Sequence, residues 1–308
     1  MAVEPVAFAG WPNNLCVSND TVELILTLDV GPRIMSFRRA GGQNVFKVRL
    51  DEAGGTGESV FKLRGGHRLW RAPEDYGTEH SLTYVIDNDR IDHKVVDEFS
   101  VSVAHVAAAP HRLRREVCVH VSQSGPTVTV EHTLQNDGPA PLSGSAWGLS
   151  VMAAGGFAVI PQPALGTHPQ DFVPNRRWVL WPFTDLPDER FRVSPRLLRL
   201  YQTNRKPFKL GLQHRERWVG YVLGDDLFLK TIPFLAGEEY PDEGSNFETF
   251  TNWDFLELES IGPYRTLEPG ASLQHTERWA LFADVNLPDP QDEDAFLATL
   301  EDYAQQLF

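Results

Sequence analysis

Two glutamates near the end of the chain have the spacing that joint acid and base chemistry needs. The segment 255–259, FLELE, alternates apolar and acidic residues with a period of two. In a β-strand, that period places Leu256 and Leu258 on one face and Glu257 and Glu259 on the other. Carboxyl groups that share a poorly hydrated site acquire different pKa values, so that one can serve as an acid and the other as a base near neutral pH.

This pair allows more than one interpretation. Paired carboxylates serve sugar hydrolysis, sugar isomerisation and metal binding, whereas an ordinary half-exposed strand would turn its glutamates to water. The surrounding residues favour a site, since Asn252 and Trp253 precede the pair and a Gly-Pro stop follows it. Asn246 and Glu248, in the stretch just upstream, are candidate substrate-binding residues.

A second segment, 65–74 (GGHRLWRAPE), combines residue types that suit a sugar. His67 can titrate near neutral pH and is a candidate acid. Arg68 offers a planar fork of hydrogen-bond donors to vicinal hydroxyls, and Trp70 offers a flat apolar face to the C–H side of a sugar ring. The alternative is a Gly-Gly turn followed by a tryptophan packed in the core.

Aromatic residues give a further indication of a pocket. Most of the eight tryptophans are expected in the core, where such large side chains usually pack. Trp70, Trp147 and Trp253 stand beside Gly, Asn or charged residues, which is where an aromatic residue that lines a pocket would be found.

The sequence gives little indication of a metal or a cofactor. The ten histidines are scattered, and no P-loop, GxGxxG or GxSxG unit is present, so we expect no cofactor and no metal. His67 with Glu257 and Glu259 is the one metal-binding combination that the candidate residues would allow. With only Cys16 and Cys118, neither a disulfide framework nor a structural zinc site is expected.

The charge of the chain restricts its partners. A formal net charge of −14 argues against nucleic acid and anionic membranes, which need a basic surface. Seven basic residues lie between Arg190 and Lys209, but against this net charge they favour a solvated sheet edge or loop over a nucleic-acid site. We therefore expect a small-molecule sugar or sugar derivative as the partner, and a monomer or homodimer.

Short strands separated by turns dominate the chain, which predicts an all-β fold. The N-terminus lacks a basic start and a long apolar run, so we expect no signal peptide and a cytoplasmic protein. Apolar residues at helical spacing predict one helix, Asp292–Phe308, packed on the outside of the sheets. The predicted strands are Thr21–Val30, Arg33–Arg39, Leu82–Ile86, Val95–Val106, Leu113–Ser122, Thr127–Leu134, Trp178–Leu180, Phe208–Leu212, Trp218–Leu223, Leu227–Thr231, Phe247–Thr251, Phe255–Glu259 and Thr276–Phe282.

Several segments together resemble the galactose mutarotase (aldose 1-epimerase) superfamily. They are 29–37 (DVGPRIMSF), 65–70 (GGHRLW), 255–263 (FLELESIGP) with 266–270 (TLEPG), and 275–282. The segments GGHRLW and NFETFTN look closest to a mutarotase-like branch that differs from the true epimerases. The resemblance implies a large antiparallel β-super-sandwich with a sugar groove, formed by one domain over 1–308 with a peripheral helix at about 292–308.

The resemblance also implies roles for individual residues. Glu259 matches the glutamate that takes the proton from the anomeric hydroxyl, with Glu257 as the neighbouring alternative. Trp147 falls where the epimerases have the histidine that protonates the ring oxygen, so either His67 or Glu257 would replace that acid, or the reaction differs, or there is no reaction. Arg68 matches the early substrate-binding segment loosely.

Two functions follow as expectations from the resemblance. The first is a carbohydrate-active isomerase, similar to aldose 1-epimerases, that uses acid and base catalysis on a sugar hemiacetal. The alternative is a non-catalytic carbohydrate-binding protein that kept the fold and lost the acid histidine. A glycoside hydrolase is disfavoured, because two glutamates on one strand lie side by side, whereas that reaction needs carboxyls that flank the bond.

Overall fold

Two antiparallel β-sheets face each other across an apolar core in the computed structural model, which describes residues 3–76, 81–107 and 112–308. Its strands are β1 (Val3–Phe8), β2 (Trp11–Ser18), β3 (Val22–Thr27), β4 (Arg33–Arg39), β5 (His67–Ala72), β6 (Asp92–Asp97), β7 (Ser100–Val106), β8 (Leu113–Val121), β9 (Thr127–Asn136), β10 (Leu142–Met152), β11 (Phe157–Pro161), β12 (Trp178–Leu180), β13 (Phe191–Val193), β14 (Leu197–Tyr201), β15 (Phe208–Leu212), β16 (Trp218–Leu223), β17 (Asp226–Thr231), β18 (Phe247–Thr251), β19 (Leu256–Ile261), β20 (Arg265–Leu267) and β21 (Ser272–Phe282).

The first sheet runs in the order β1-β2-β3-β4-β5-β10-β19-β18-β15-β12, with β20 paired to β10. The second sheet runs in the order β13-β14-β11-β16-β17-β21-β9-β8-β7-β6. Apolar side chains from the inner faces of both sheets form one continuous core. This arrangement confirms the predicted all-β super-sandwich of antiparallel strands.

The predicted helix is confirmed, with small shifts at its ends. Helix α2 spans Glu293–Ala304 and ends in a 3₁₀ turn, and Asp292 caps it by accepting a hydrogen bond from the Ala295 amide. Its apolar face packs on the outer side of the second sheet. A four-residue turn, α1 (Pro241–Gly244), lies between β17 and β18. None of the helices among the described residues is long and apolar enough to span a membrane.

The predicted strand Leu82–Ile86 is wrong. Asp75 explains the difference, because its carboxylate accepts hydrogen bonds from the backbone amides of Leu82 and Thr83, which therefore do not join a ladder. The predicted strand Val95–Val106 is two strands, β6 and β7.

Sequence patterns also missed strands, above all β10, which lies between β5 and β19 at the centre of the first sheet. Its segment, LSGSAWGLSVM, is rich in small and polar residues and lacks a clear alternation. Pairing on both sides, rather than local propensity, makes it a strand.

A buried ion pair connects the two sheets behind these central strands. The Lys230 ammonium of β17 lies 2.9 Å from a Glu277 carboxylate oxygen of β21, and both side chains are fully buried. Lys230 also donates to the backbone carbonyl of Leu258 in β19, at 3.2 Å, and contacts that of Gly148 in β10, at 3.4 Å. One cation of the second sheet therefore holds two neighbouring strands of the first.

We expect the substitution Lys230→Met to lower the free energy of unfolding by about 3–5 kcal/mol, because it leaves the buried Glu277 carboxylate without its cation. Urea denaturation at pH 7 measures the change. Lys94→Met, on the exposed strand β6, is the matched control and should change stability by no more than about 0.5 kcal/mol. Equal effects of the two substitutions would contradict a stabilising role for the ion pair.

Candidate functional site

A cavity of about 320 Å³ opens on the outer face of the first sheet, the face turned away from the second sheet. Strands β5, β10, β19, β18 and β15 form its floor, and the segments around Phe61, Tyr84 and Trp181 form its walls. The lining residues are Phe61, Leu63, Arg68, Trp70, Glu74, Tyr84, Trp147, Leu149, Trp181, Phe183, Lys209, Phe250, Asn252, Phe255, Glu257 and Glu259.

Strand register brings the candidate residues together. Glu259 lies opposite Leu149 of β10 and Glu248 of β18, and Leu149 lies opposite Arg68 of β5. Since alternate residues of a strand share a face, Glu257 points to the same side as Glu259. Both glutamates line the cavity and are buried, so the interpretation of a solvated strand face is wrong.

Glu259 has the environment of a group that can exchange protons near neutral pH. It is 1% exposed, and its Oε2 accepts a hydrogen bond of 3.0 Å from the Trp147 indole nitrogen. Its Oε1 has no hydrogen-bond partner among the described residues. Burial raises the pKa of Glu259 to about 7; the Lys209 ammonium opposes this rise, and the Glu257 carboxylate adds to it.

Lys209 is a charged cavity residue that sequence reasoning missed. Its ammonium lies 2.7 Å from Glu248 Oε2 and 3.6 Å from Glu259 Oε2, and it stands over the rings of Trp147 and Trp181. Burial disfavours the charge, but the two carboxylates outweigh burial and raise the pKa of Lys209 above its usual value.

For the basic run that contains Lys209, the expectation of a solvated sheet edge or loop is wrong at this position. Strand β15 is covered by β18 and β12 on its two sides, and Lys209 is 6% exposed. A signal was available, because Lys209 and Gly211 alternate with Phe208, Leu210 and Leu212 and therefore share the polar face of this strand.

Glu248 lies directly behind Lys209 and is fully buried. Burial raises its pKa well above the usual value, and the nearby Glu259 and Asp242 carboxyls act in the same direction against Lys209. Glu248 is not among the lining residues, so its predicted contact with a substrate becomes an indirect role, in which it holds the Lys209 ammonium.

Arg68 and Trp70 lie as predicted, in the cavity. The Arg68 Nη2 donates to Glu257 Oε1 at 2.9 Å, and the guanidinium stands 4.1 Å from the centre of the Trp70 ring. The Nε and Nη1 atoms of Arg68 and the indole nitrogen of Trp70 are buried without a partner among the described residues. These donors are available to a polar ligand that enters the cavity.

His67 lies on the opposite face of the sheet, which corrects its assignment as the acid. It neighbours Arg68 along β5, so its ring points into the core, where it contacts Ser150 Oγ at 2.9 Å and His132 Nε2 at 2.7 Å. Burial lowers its pKa well below the usual value. For the same reason, His67 does not form a metal site with Glu257 and Glu259.

Two further expectations need correction. The Asn246 side chain holds a loop in place, since it accepts from the backbone amide of His214 and donates to the carbonyls of His214 and Pro233, and it does not line the cavity. Trp253 is 60% exposed and also lies outside the lining. Trp147, in contrast, lines the cavity as expected.

The cavity combines aromatic faces with charged groups that already balance one another. Arg68 and Lys209 neutralise much of the charge of Glu257 and Glu259, which disfavours a metal cation between these carboxylates. Among residues 3–76, 81–107 and 112–308, no histidine lines the cavity. Carboxylates, cation donors and aromatic rings in one cleft suit a neutral polyol with an apolar C–H face.

The fold is similar to those of several solved structures. These include a galactose mutarotase-like protein from Lactobacillus casei ATCC 334 (TM-score 0.59, 13% identity, 88% of this chain and 100% of that chain), a galactose mutarotase related enzyme from Lactobacillus acidophilus (0.57, 10%, 89% and 98%) and a galactose mutarotase-like protein from Clostridium acetobutylicum (0.56, 9%, 91% and 98%). No protein-family model and no curated protein sequence matches the chain. The fold is that of galactose mutarotase-like proteins, and at these identities the likeness concerns the fold alone.

The pKa of Glu259 should depend on its two partners. We expect Lys209→Met and Trp147→Phe each to raise it above the parent value of about 7, because both partners favour the charged carboxylate. Carbon NMR of ¹³C-labelled glutamate side chains, with Glu259→Gln to assign the resonance, measures the titration. Lys94→Met is the control, and an unchanged titration in both cavity variants would contradict the assigned contacts.

Proposed function

We propose that the protein binds a sugar in this cavity and catalyses proton transfer at its anomeric centre. The supporting observation is Glu259 Oε1, which has no hydrogen-bond partner among the described residues and belongs to a buried carboxyl whose pKa is about 7. Such a group can both accept and release a proton at neutral pH, which is what a general base in a reversible isomerisation must do. Two structural neighbours are named a galactose mutarotase-like protein and a galactose mutarotase related enzyme, which supports a sugar-directed proposal by analogy of fold.

The lining supports a sugar as the ligand. The rings of Trp70, Trp147 and Trp181 offer apolar faces for C–H groups, and the free donors of Arg68 are available for hydroxyl oxygens. A cavity of about 320 Å³ lies at the lower end of the range for small-molecule sites, roughly 300–1,000 Å³, so a monosaccharide fits better than a chain.

In the proposed reaction, Glu259 Oε1 takes the proton of the anomeric hydroxyl while an acid protonates the ring oxygen. The bond between C1 and the ring oxygen breaks, C1 becomes a carbonyl carbon and rotates, and the reverse steps close the ring. Glu257 is the acid in this proposal, because it shares the cavity face with Glu259. A hydrogen bond of 2.9 Å from Arg68 Nη2 to Glu257 Oε1 holds this carboxyl group in place.

The same contacts support a second candidate, a carbohydrate-binding protein without turnover. Trp147 stands at the position of the expected acid histidine and donates a hydrogen bond to Glu259, and no histidine of the described residues lines the cavity. Such a protein would use Glu257 and Glu259 as hydrogen-bond acceptors for hydroxyl groups. A cytoplasmic location and a monomeric or homodimeric state remain predictions from the sequence under either candidate.

The reaction should depend on the carboxylate of Glu259. We expect the parent protein to accelerate anomer interconversion of at least one hexose and Glu259→Gln to lower that rate by about 10²–10⁴-fold, the usual contribution of a general base. Two-dimensional exchange NMR measures the interconversion. Glu268→Gln, an exposed substitution, is the control. Equal rates for the parent and Glu259→Gln would exclude this base, and sugar binding without turnover would favour the second candidate.

Binding itself should depend on the aromatic lining under both candidates. We expect Trp70→Ala to weaken sugar binding by about tenfold, equal to about 1.4 kcal/mol, through the loss of the ring face. Calorimetry measures the affinity. Trp253→Ala removes a tryptophan that is 60% exposed and outside the cavity, and it should leave the affinity unchanged. If both substitutions have the same effect, the sugar binds elsewhere.

A further inference from the structure

We propose that Cys118, His120 and Glu131 form a zinc-binding site on the outer face of the second sheet, independent of the cavity. Cys118 and His120 are two residues apart on β8 and therefore share a face, and Glu131 lies directly opposite Cys118 on β9. A thiolate, an imidazole and a carboxylate are all ligands that zinc takes in proteins. The side chains of His120 and Glu131 are 37% and 47% exposed, so an ion can reach them from solvent.

The distances between the three side chains fit one tetrahedral ion. His120 Nε2 lies 3.3 Å from Cys118 Sγ and 3.5 Å from Glu131 Oε2, and all three ligand atoms lie within 4.8 Å of one another. Ordinary zinc bond lengths at tetrahedral angles place sulfur and nitrogen about 3.6 Å apart and nitrogen and oxygen about 3.4 Å apart. Small side-chain rotations are enough to close this geometry, and solvent supplies a water to the fourth position.

A chain of hydrogen bonds orients the His120 ring for this role. The Ser100 hydroxyl bonds the Asp97 carboxylate, so its oxygen accepts from the Nδ1 of His120, 2.8 Å away. That contact places the ring proton on Nδ1 and leaves the lone pair of Nε2 facing Cys118 and Glu131. In histidines that bind metals, the ring nitrogen that does not bind the metal typically donates such a hydrogen bond.

Zinc takes cysteine as the thiolate, so binding has to displace the proton of the Cys118 thiol. When zinc binds, the thiol proton leaves to solvent and a zinc–sulfur bond forms, so the charges of zinc, Cys118 and Glu131 sum to zero.

A second cluster of potential metal-binding side chains among the described residues consists of His67, His132 and Glu277. This cluster does not offer such a site. These side chains are fully buried in the core, the two imidazoles contact each other at 2.7 Å, and the Lys230 ammonium already occupies the Glu277 carboxylate. A metal ion at this cluster would have to displace the buried Lys230 ammonium. Because the cluster lies in the core, that ion has no direct access from solvent.

Cobalt titration of the reduced, metal-free protein tests the proposal. We expect one equivalent of Co²⁺ to produce a thiolate-to-metal charge-transfer band with the intense visible bands of a tetrahedral site, and Zn²⁺ to remove both. Cys118→Ser should abolish the charge-transfer band. His120→Ala and Ser100→Ala should each weaken zinc binding by at least about tenfold.

Matched controls separate this site from others. Cys16→Ser removes the other cysteine, which is buried on β2 of the first sheet, and Glu259→Gln alters the cavity; both should keep the full band. Circular dichroism confirms that each variant is folded. The proposal is overturned if no charge-transfer band appears, if the band persists in Cys118→Ser, or if zinc affinity is the same in the parent and in His120→Ala.

Discussion

The central strands of the first sheet are almost wholly buried on both faces, and this constraint governs the rest of the structure. Strand β19 packs Leu256 and Leu258 into the core and turns Glu257 and Glu259 into the cavity, and all four residues are buried. A charge removed from water needs a partner close by, because the loss of hydration otherwise exceeds any gain from packing. Each buried charge near these strands therefore has an opposite charge within reach, supplied by Arg68, Lys209 or Lys230.

Glu277 and Glu259 show that the partners of a buried carboxyl group determine the direction in which its pKa shifts. Glu277 lies 2.9 Å from Lys230 and accepts hydrogen bonds from Ser260 and Trp279, and despite its burial its pKa falls below the usual value. Glu259 is equally buried, but its cation is 3.6 Å away, and its Oε1 has no partner in the part of the chain that the structure describes. Its pKa rises to about 7. Glu277 therefore has a structural role, whereas Glu259 keeps an oxygen in the cavity that can accept a further hydrogen bond.

The likeness to galactose mutarotase-like structures concerns the architecture, and function has to be argued from the site itself. From the sequence resemblance we expect Trp147 at the position of the acid histidine, and its indole donates to Glu259. The proposed base has a better-defined environment than the proposed acid, so catalysis and binding without turnover are both candidate functions. The zinc site proposed on the second sheet depends on neither of them.

The sequence alone determined the class of fold and the face of the key strand. Alternation in the segment FLELE is a local property, and it correctly placed Glu257 and Glu259 on one side; the terminal helix and most strands followed from equally local patterns. Patterns of this kind failed at β10, where pairing on both sides overrides a composition of small and polar residues.

Only the tertiary structure decided which residues meet the two glutamates. Lys209 reaches the cavity because its strand pairs with β18 and β12, and Trp181 reaches it on a wall segment that is distant in the sequence. His67 points away from the cavity, because its neighbour Arg68 points to the outer face of the sheet. The pKa of Glu259 likewise depends on burial and on charges from other strands. Local sequence encodes the period of a strand, whereas the partners across a sheet and the depth of burial arise only when distant strands pair.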